Sequence, residues 1–280
     1  MRLEARMPTS NHWDVIFNSG SPHTVLGIDF SGMKRPEASF TELTLKIGSG
    51  HRFLQARPVT VRPGRRPCSY EYIASWVEGA RQDGNPMRAV LGHCVGGIYA
   101  AVAAECISQW QLEPDIILLD PQFASAEFLS HELHKEISAT RSLMSEDEIE
   151  YARKIASEIP DFKSRDMVQI ATYAVESYLE VITPAFERAG LGDARGSKLN
   201  EHFVSYMAWL SVAAELEPSR ALKKSTVIMS RDYAELPGRM LFDDDADSLA
   251  GRWIVCDVSH ADLLRSDSVA KEVLDVLESR

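Results

Sequence analysis

The stretch "GHCVGG", residues 92–97, sets a cysteine between glycines at both second-neighbour positions. An apolar run, "MRAVLG", leads into it, and "GGIYAAVAAE" leads out with the small residues of a closely packed helix. This is the composition of a strand-to-helix turn that exposes a nucleophile. The central residue takes a strained backbone conformation, and its neighbours must be small because the turn crowds adjacent elements. A thiol at Cys94 would sit at a helix N-terminus, which favours the thiolate, and the Val95 N–H would be one donor to a developing oxyanion. The plainer reading is a buried cysteine acting as a small hydrophobe.

A thiol nucleophile needs a base that also protonates the leaving group. His260, in "DVSHADLL", follows an apolar run and precedes the last helical segment, where a loop histidine can reach back to the turn. His93 flanks the cysteine but is expected to point elsewhere. His131 and His134, in "SHELHKE", lack the H-E-x-x-H spacing of a zinc protease. Two aspartates can orient His260: Asp120, which ends "DIILLD", and Asp232, in "VIMSRDY". Both follow strand-like runs, and sites collect at the C-terminal ends of parallel strands. Asp120 is favoured, because Arg231 and the loop charges give Asp232 a role as a solvated turn residue. No metal is expected: Cys68, Cys94, Cys106 and Cys256 are scattered without a CxxC pair, and "FDDDADS" lacks the glycine and distal glutamate of a calcium loop.

Elements that would hold these residues can be read along the chain. Residues 23–30 form an apolar, β-branched run, and "SYEYIASWVEGARQ" has helical apolar spacing. "MRAVLG" is the next strand, then come a helix over about 97–110 and the strand of "PDIILLDP", bounded by Pro114 and Pro121. Alternating strands and helices predict an α/β class with a mostly parallel sheet covered on both faces. Over about 126–220 helical periodicity runs without a comparable strand, which reads as a helical lid inserted into a single domain spanning 1–280. Its Tyr173, Tyr178, Phe203, Tyr206, Met207 and Trp209 could line a pocket, but their helical spacing favours ordinary core. The sheet pattern resumes with "STVIMS" and "RWIVCDVS", and "DSVAKEVLDVLESR" closes the chain as an amphipathic helix capped by Asp267 or Ser268.

Composition narrows the function. The 280 residues carry a formal charge of −11, which argues against non-specific binding to nucleic acid or anionic membrane. No segment approaches the roughly 18 apolar residues of a membrane span and none resembles a signal peptide, so a cytoplasmic enzyme is expected. "VRPGRRP", with Arg62, Arg65 and Arg66 near Lys34 and Arg35, is a basic patch: either a docking surface or a solvated loop.

Taken together, "GHCVGGIYAAVAAE", "IILLDPQ" and "SHADLL" resemble the thioesterase family of the α/β-hydrolase fold that serves polyketide and non-ribosomal peptide assembly lines. The resemblance covers residues 23–125 and 225–280. It implies Cys94 as nucleophile, His260 as base, Asp120 as its acid, and an oxyanion hole from the backbones of Val95 and Ser31, with Phe30 as the alternative second donor. Two departures stand out. The family's oxyanion loop reads like P-P-A-G-G where this chain has "DFSGMK", and cysteine replaces the family's serine. An acyl-S-enzyme keeps the thioester energy that an acyl-O-enzyme has lost, so transfer to a second thiol is nearly thermoneutral. In this respect the chain is similar to small cysteine-dependent aminoacyltransferases related to thioesterases. That similarity implies acyl or peptidyl carrier proteins as partners, with the substrate presented on a phosphopantetheine arm and no bound cofactor. The alternatives are a hydrolytic or cyclising thioesterase, a dienelactone-hydrolase-like esterase that would favour Asp232, and a non-catalytic α/β-hydrolase-like binding protein.

Overall fold

The computed structural model describes residues 12–30, 37–48, 50–59, 61, 68–162, 166–191, 194–217, 219–235 and 251–279. Contacts divide the chain into two compact units, one drawn from Met1–Pro58, Tyr72–Gln122 and Glu217–Arg280, the other from Val59–Glu71 and Phe123–Leu216.

The first unit is built on a seven-stranded sheet: β1 (Trp13–Phe17), β2 (Thr24–Ile28), β3 (Arg52–Ala56), β4 (Met87–His93), β5 (Asp115–Leu119), β6 (Thr226–Ser230) and β7 (Arg252–Cys256). Their order across the sheet is β1-β3-β2-β4-β5-β6-β7. Only β1 runs antiparallel, paired with β3; every other neighbour is parallel. The central strands are buried along their length, which is why they read as unbroken apolar runs rather than alternating ones.

Helices supply the cover. One core layer joins Val25, Phe53, Leu91, Ile117 and Leu119 of the sheet to Phe40 and Leu43 of α1 (Phe40–Ile47) and to Val269, Val273 and Leu277 of α10 (Asp267–Glu278). The spacing of those α10 residues puts them on one helical stripe. A second cluster packs Trp13, Tyr72, Trp76 and Tyr99 in tilted and edge-to-face contacts, with ring centroids of the touching pairs 5.6–6.3 Å apart. It ties β1 to α2 (Ser69–Asp83) and α3 (Gly96–Ile107). The indole of Trp13 donates to the Trp76 carbonyl at 3.1 Å, so burying this polar ring leaves its N–H satisfied.

Several elements of this unit lie outside the runs read above, among them β1, α1, β3 and the short helix α8 (Ser219–Leu222). β3 reads "RFLQA", with an arginine and a glutamine inside a buried strand. Arg52 is tolerated there because Asp83 takes its guanidinium at 2.6 Å, a partner 31 residues away that no local pattern reveals. The start of α10 also differs from expectation. Its N-cap is Ser266, in extended conformation, rather than Asp267 or Ser268; Asp267 instead pairs with Lys46 at 2.7 Å.

The second unit is helical: α4 (Ala126–Thr140), α5 (Glu146–Glu158), α6 (Met167–Arg188) and α7 (Ala194–Ala213). Its helices start where the sequence supplies caps. Ser125 accepts from the Phe128 N–H, Ser145 and Glu148 form a capping box, and Asp166 accepts from the Gln169 N–H. Tyr178, Phe203, Met207 and Trp209 are buried as core. Inside, Glu132 accepts from the Tyr206 hydroxyl at 2.8 Å, and the Tyr178 hydroxyl bonds Thr140 at the same distance. Burial, with the charge of Glu136 nearby, pushes the Tyr178 phenol well above its ordinary range, so it stays protonated. Among the described residues no helix is long and apolar enough to cross a membrane.

Candidate active site

The turn between β4 and α3 has the geometry its composition predicts. Cys94 sits at φ 51°, in the left-handed region that residues with a Cβ rarely occupy. The strain is held in place by backbone bonds on both sides of the thiol. The Cys94 N–H donates to the Leu119 carbonyl at 3.0 Å, and its own carbonyl accepts from Gly97 at 2.9 Å and Gln122 at 3.2 Å. The glycines have measurable reasons. A Cβ at Gly92 would lie 2.5 Å from the Gly96 carbonyl oxygen, one at Gly96 only 2.1 Å from the Ile28 carbonyl oxygen, and one at Gly97 2.9 Å from Pro121 Cβ. Gly96→Ala is therefore expected to cost about 3 kcal/mol of stability, at the upper end for overpacking, because the obstructing atom is backbone. Urea unfolding checks this, and a loss below about 1 kcal/mol would contradict the packing argument.

The thiol is partly exposed at the start of α3. Val95 is the N-cap of that helix, so its N–H lies outside the intrahelical ladder, as an oxyanion donor requires. Burial pushes the Cys106 and Cys256 thiols up, which keeps both protonated and poor as nucleophiles. Cys68 is exposed.

The histidine and its acid meet across 140 residues of sequence: His260 Nδ1 lies 2.8 Å from Asp120 Oδ2. Asp120 closes β5 in a second left-handed turn, φ 43°, and its side chain is wholly buried. Both carboxylate oxygens are engaged, because Oδ1 accepts from the Ser230 N–H at 2.7 Å. A carboxylate so fixed holds the Nδ1 proton and leaves the Nε2 lone pair for a proton from a nucleophile. Asp232 has a different place. It accepts from the His260 backbone N–H at 3.0 Å and so anchors the loop rather than the ring, while Arg231 pairs with Asp257.

His93 departs from expectation. Its ring does not turn away but lies against His260, centroids 5.1 Å apart and planes 16° apart. Because His93 immediately precedes Cys94, this contact brings the His260 imidazole to the elbow. Tyr233, in the short helix α9 (Arg231–Ala234), stacks on the same imidazole at 4.4 Å and 22°. Sequence reasoning missed both contacts, since a turn residue's side-chain direction depends on backbone angles that the letters do not carry.

Ser31 lies outside the described residues, and the Phe30 N–H already donates to Asp29 Oδ1 at 2.8 Å. The basic patch of Arg62, Arg65 and Arg66, with Lys34 and Arg35, and the acidic run at 242–248 also lie outside the described residues. Among the described residues no cluster of His, Cys, Asp and Glu suited to a metal ion occurs.

No protein-family profile matches the chain, and no curated protein matches it by sequence. Solved structures match it in shape. The Vlm2 thioesterase domain carrying genetically encoded 2,3-diaminopropionic acid, bound with a dodecadepsipeptide, aligns with TM-score 0.53 at 16% identity, over 95% of this chain and 97% of that one. The NocB thioesterase domain in covalent complex with a fluorophosphonate nocardicin G analogue gives TM-score 0.54 at 12% identity, over 95% and 99%. The enol-lactonase from Burkholderia xenovorans LB400 gives 0.51 at 14%, over 95% of each chain. Identities this low speak to the fold alone. The sheet order, the left-handed turn after β4 and the overlap along nearly the whole chain identify an α/β-hydrolase fold.

Proposed function

We propose that the protein is a cysteine-dependent, thioesterase-like acyltransferase that takes acyl or aminoacyl groups from the phosphopantetheine arm of one carrier protein in natural-product biosynthesis and hands them to a second thiol. The observation that carries this reading is a thiol, Cys94, on a left-handed turn at a helix start, next in sequence to His93, whose ring lies against the His260 imidazole that a buried carboxylate holds at Nδ1. The fold it shares with thioesterase domains supports the substrate class, and the thiol in place of a hydroxyl supports transfer.

In the first half-reaction His260 Nε2 takes the Cys94 proton and the thiolate attacks the thioester carbonyl. The tetrahedral oxyanion forms against the Val95 N–H. The carrier's C–S bond then breaks, and His260 returns the proton to the departing thiol. In the second half-reaction the incoming thiol gives its proton to His260, attacks the acyl-S-cysteine and releases Cys94, which recovers the proton. One thioester is exchanged for another in each half, so no energy source is needed. Water must be kept from the acyl-enzyme for transfer to prevail.

The esterase alternative of the dienelactone-hydrolase kind draws its acid from the position of Asp232, and that carboxylate bonds the His260 backbone instead. The test is partition. The enzyme is incubated with a carrier protein loaded with a radiolabelled acyl thioester and an excess of a second, unloaded carrier. Most label is expected on the second carrier. Label recovered mainly as free acid or as a cyclised product would replace transfer by hydrolysis or cyclisation.

A further inference from the structure

The two rings against His260 have no part in the proton path described above, and both come from elements that frame the site. His93 ends β4 and is 3% exposed, too buried to touch a substrate, and neither of its ring nitrogens has a hydrogen-bond partner among the described residues. Buried polar atoms without partners are costly, so some role should offset their retention next to a base. Asp29 Oδ2 lies 3.5 Å from His93 Nδ1, outside hydrogen-bond geometry, and sets a carboxylate near that edge of the ring. Tyr233 is set by its own local bond, its N–H donating to the Ser230 hydroxyl at 3.4 Å.

We propose that His93 and Tyr233 are positioning residues that form an aromatic stack on His260, fixing the plane of its imidazole and stabilising the imidazolium that forms when Cys94 gives up its proton. The inference rests on His260 acting as the base for Cys94. A cation over the face of an aromatic ring is attracted by the ring quadrupole, and the attraction strengthens where water is excluded. Two near-parallel faces act on the same ring, and both leave its edge nitrogens free, Nδ1 for Asp120 and Nε2 for the thiol. The Asp29 carboxylate near the His93 ring edge adds negative charge to the stack. The ionisable groups around the imidazole are thus Asp120 from the end of β5, Asp232 and Tyr233 from α9, His93 from the end of β4 with Asp29 beyond it, and Cys94 itself.

If the stack stabilises the imidazolium, it also stabilises the thiolate paired with it, and the effect must appear where the pair is needed and vanish where hydroxide makes the thiolate unaided. The experiment is iodoacetamide alkylation of Cys94 in the full chain, followed by peptide mass spectrometry with the exposed Cys68 as reference. Rates are taken at about pH 6.5, near the ordinary histidine range, and at about pH 9.5, above the ordinary thiol range. His93→Leu and Tyr233→Leu are each expected to react about tenfold more slowly than wild type at the lower pH and equally fast at the higher. His93→Phe and Tyr233→Phe keep a ring and are expected to stay within about twofold at both. A fast wild type with indifferent leucine variants would overturn the stack alone, as would phenylalanine variants that lose as much as the leucine ones, or a loss equal at both pH values. Wild-type Cys94 reacting no faster than Cys68 at the lower pH would overturn the acid–base assignment and the stack with it.

Discussion

Cys94→Ala is expected to form no acyl-enzyme and to lower transfer by about 10⁴-fold or more, since removing a nucleophile in a covalent mechanism leaves only binding and oxyanion stabilisation. Cys94→Ser should behave differently. A hydroxyl at the same position can still be activated by His260, so acylation continues, but the oxygen ester formed lies downhill from a thioester. Return of the acyl group to a thiol is then unfavourable, and the product shifts to free acid or to a stalled ester. The comparison separates nucleophile from fold, because alanine and serine at φ 51° meet the same left-handed strain as cysteine, and small neighbours surround the turn. Thermal unfolding of both variants should stay close to wild type. Undiminished transfer by Cys94→Ala, with the protein folded, would remove the cysteine from the mechanism.

Asp120→Asn carries the second large effect. The aspartate is wholly buried and accepts from both Ser230 and His260. An amide keeps its size but can present an N–H to Nδ1, which turns the imidazole to the tautomer whose Nε2 carries the proton and cannot accept another. A fall of about 10³–10⁴-fold in kcat is expected, with little change in KM because the carboxylate does not face the substrate. Asp232→Asn is the matched control. Its carboxylate holds the His260 backbone N–H, a bond an amide oxygen can also accept, so a loss of no more than about fivefold is expected. Equal losses in the two variants, measured by steady-state transfer kinetics, would contradict the division of labour between the aspartates.

Much of the site could be read from local sequence because its constraints are local. The turn at Cys94 needs small residues at fixed offsets, and the clashes a Cβ would make at Gly92, Gly96 and Gly97 show why "GHCVGG" announces it. Strand ends are also readable, since apolar runs stop near where β5, β6 and β7 stop, and these are neighbouring parallel strands whose C-terminal ends lie side by side. The Asp120–His260 pairing follows from that placement. Other features depend on partners far along the chain. β3 stays hidden because Arg52 is buried only with Asp83, and the grouping of Val59–Glu71 with the helical unit arises from contacts that no window around those residues contains. The stack on His260 belongs to the same class: His93 reaches the ring from the end of β4 and Tyr233 from α9, and their directions are fixed by backbone turns rather than by composition.

The most direct test of a covalent cysteine mechanism is intact-protein mass spectrometry of wild type and Cys94→Ala after brief incubation with an acyl-loaded carrier protein, followed by peptide mapping. A single acyl mass is expected on wild type, located on Cys94 and absent from the alanine variant. Turnover of the thioester by wild type with no adduct, or an adduct of equal extent on both proteins, would contradict it.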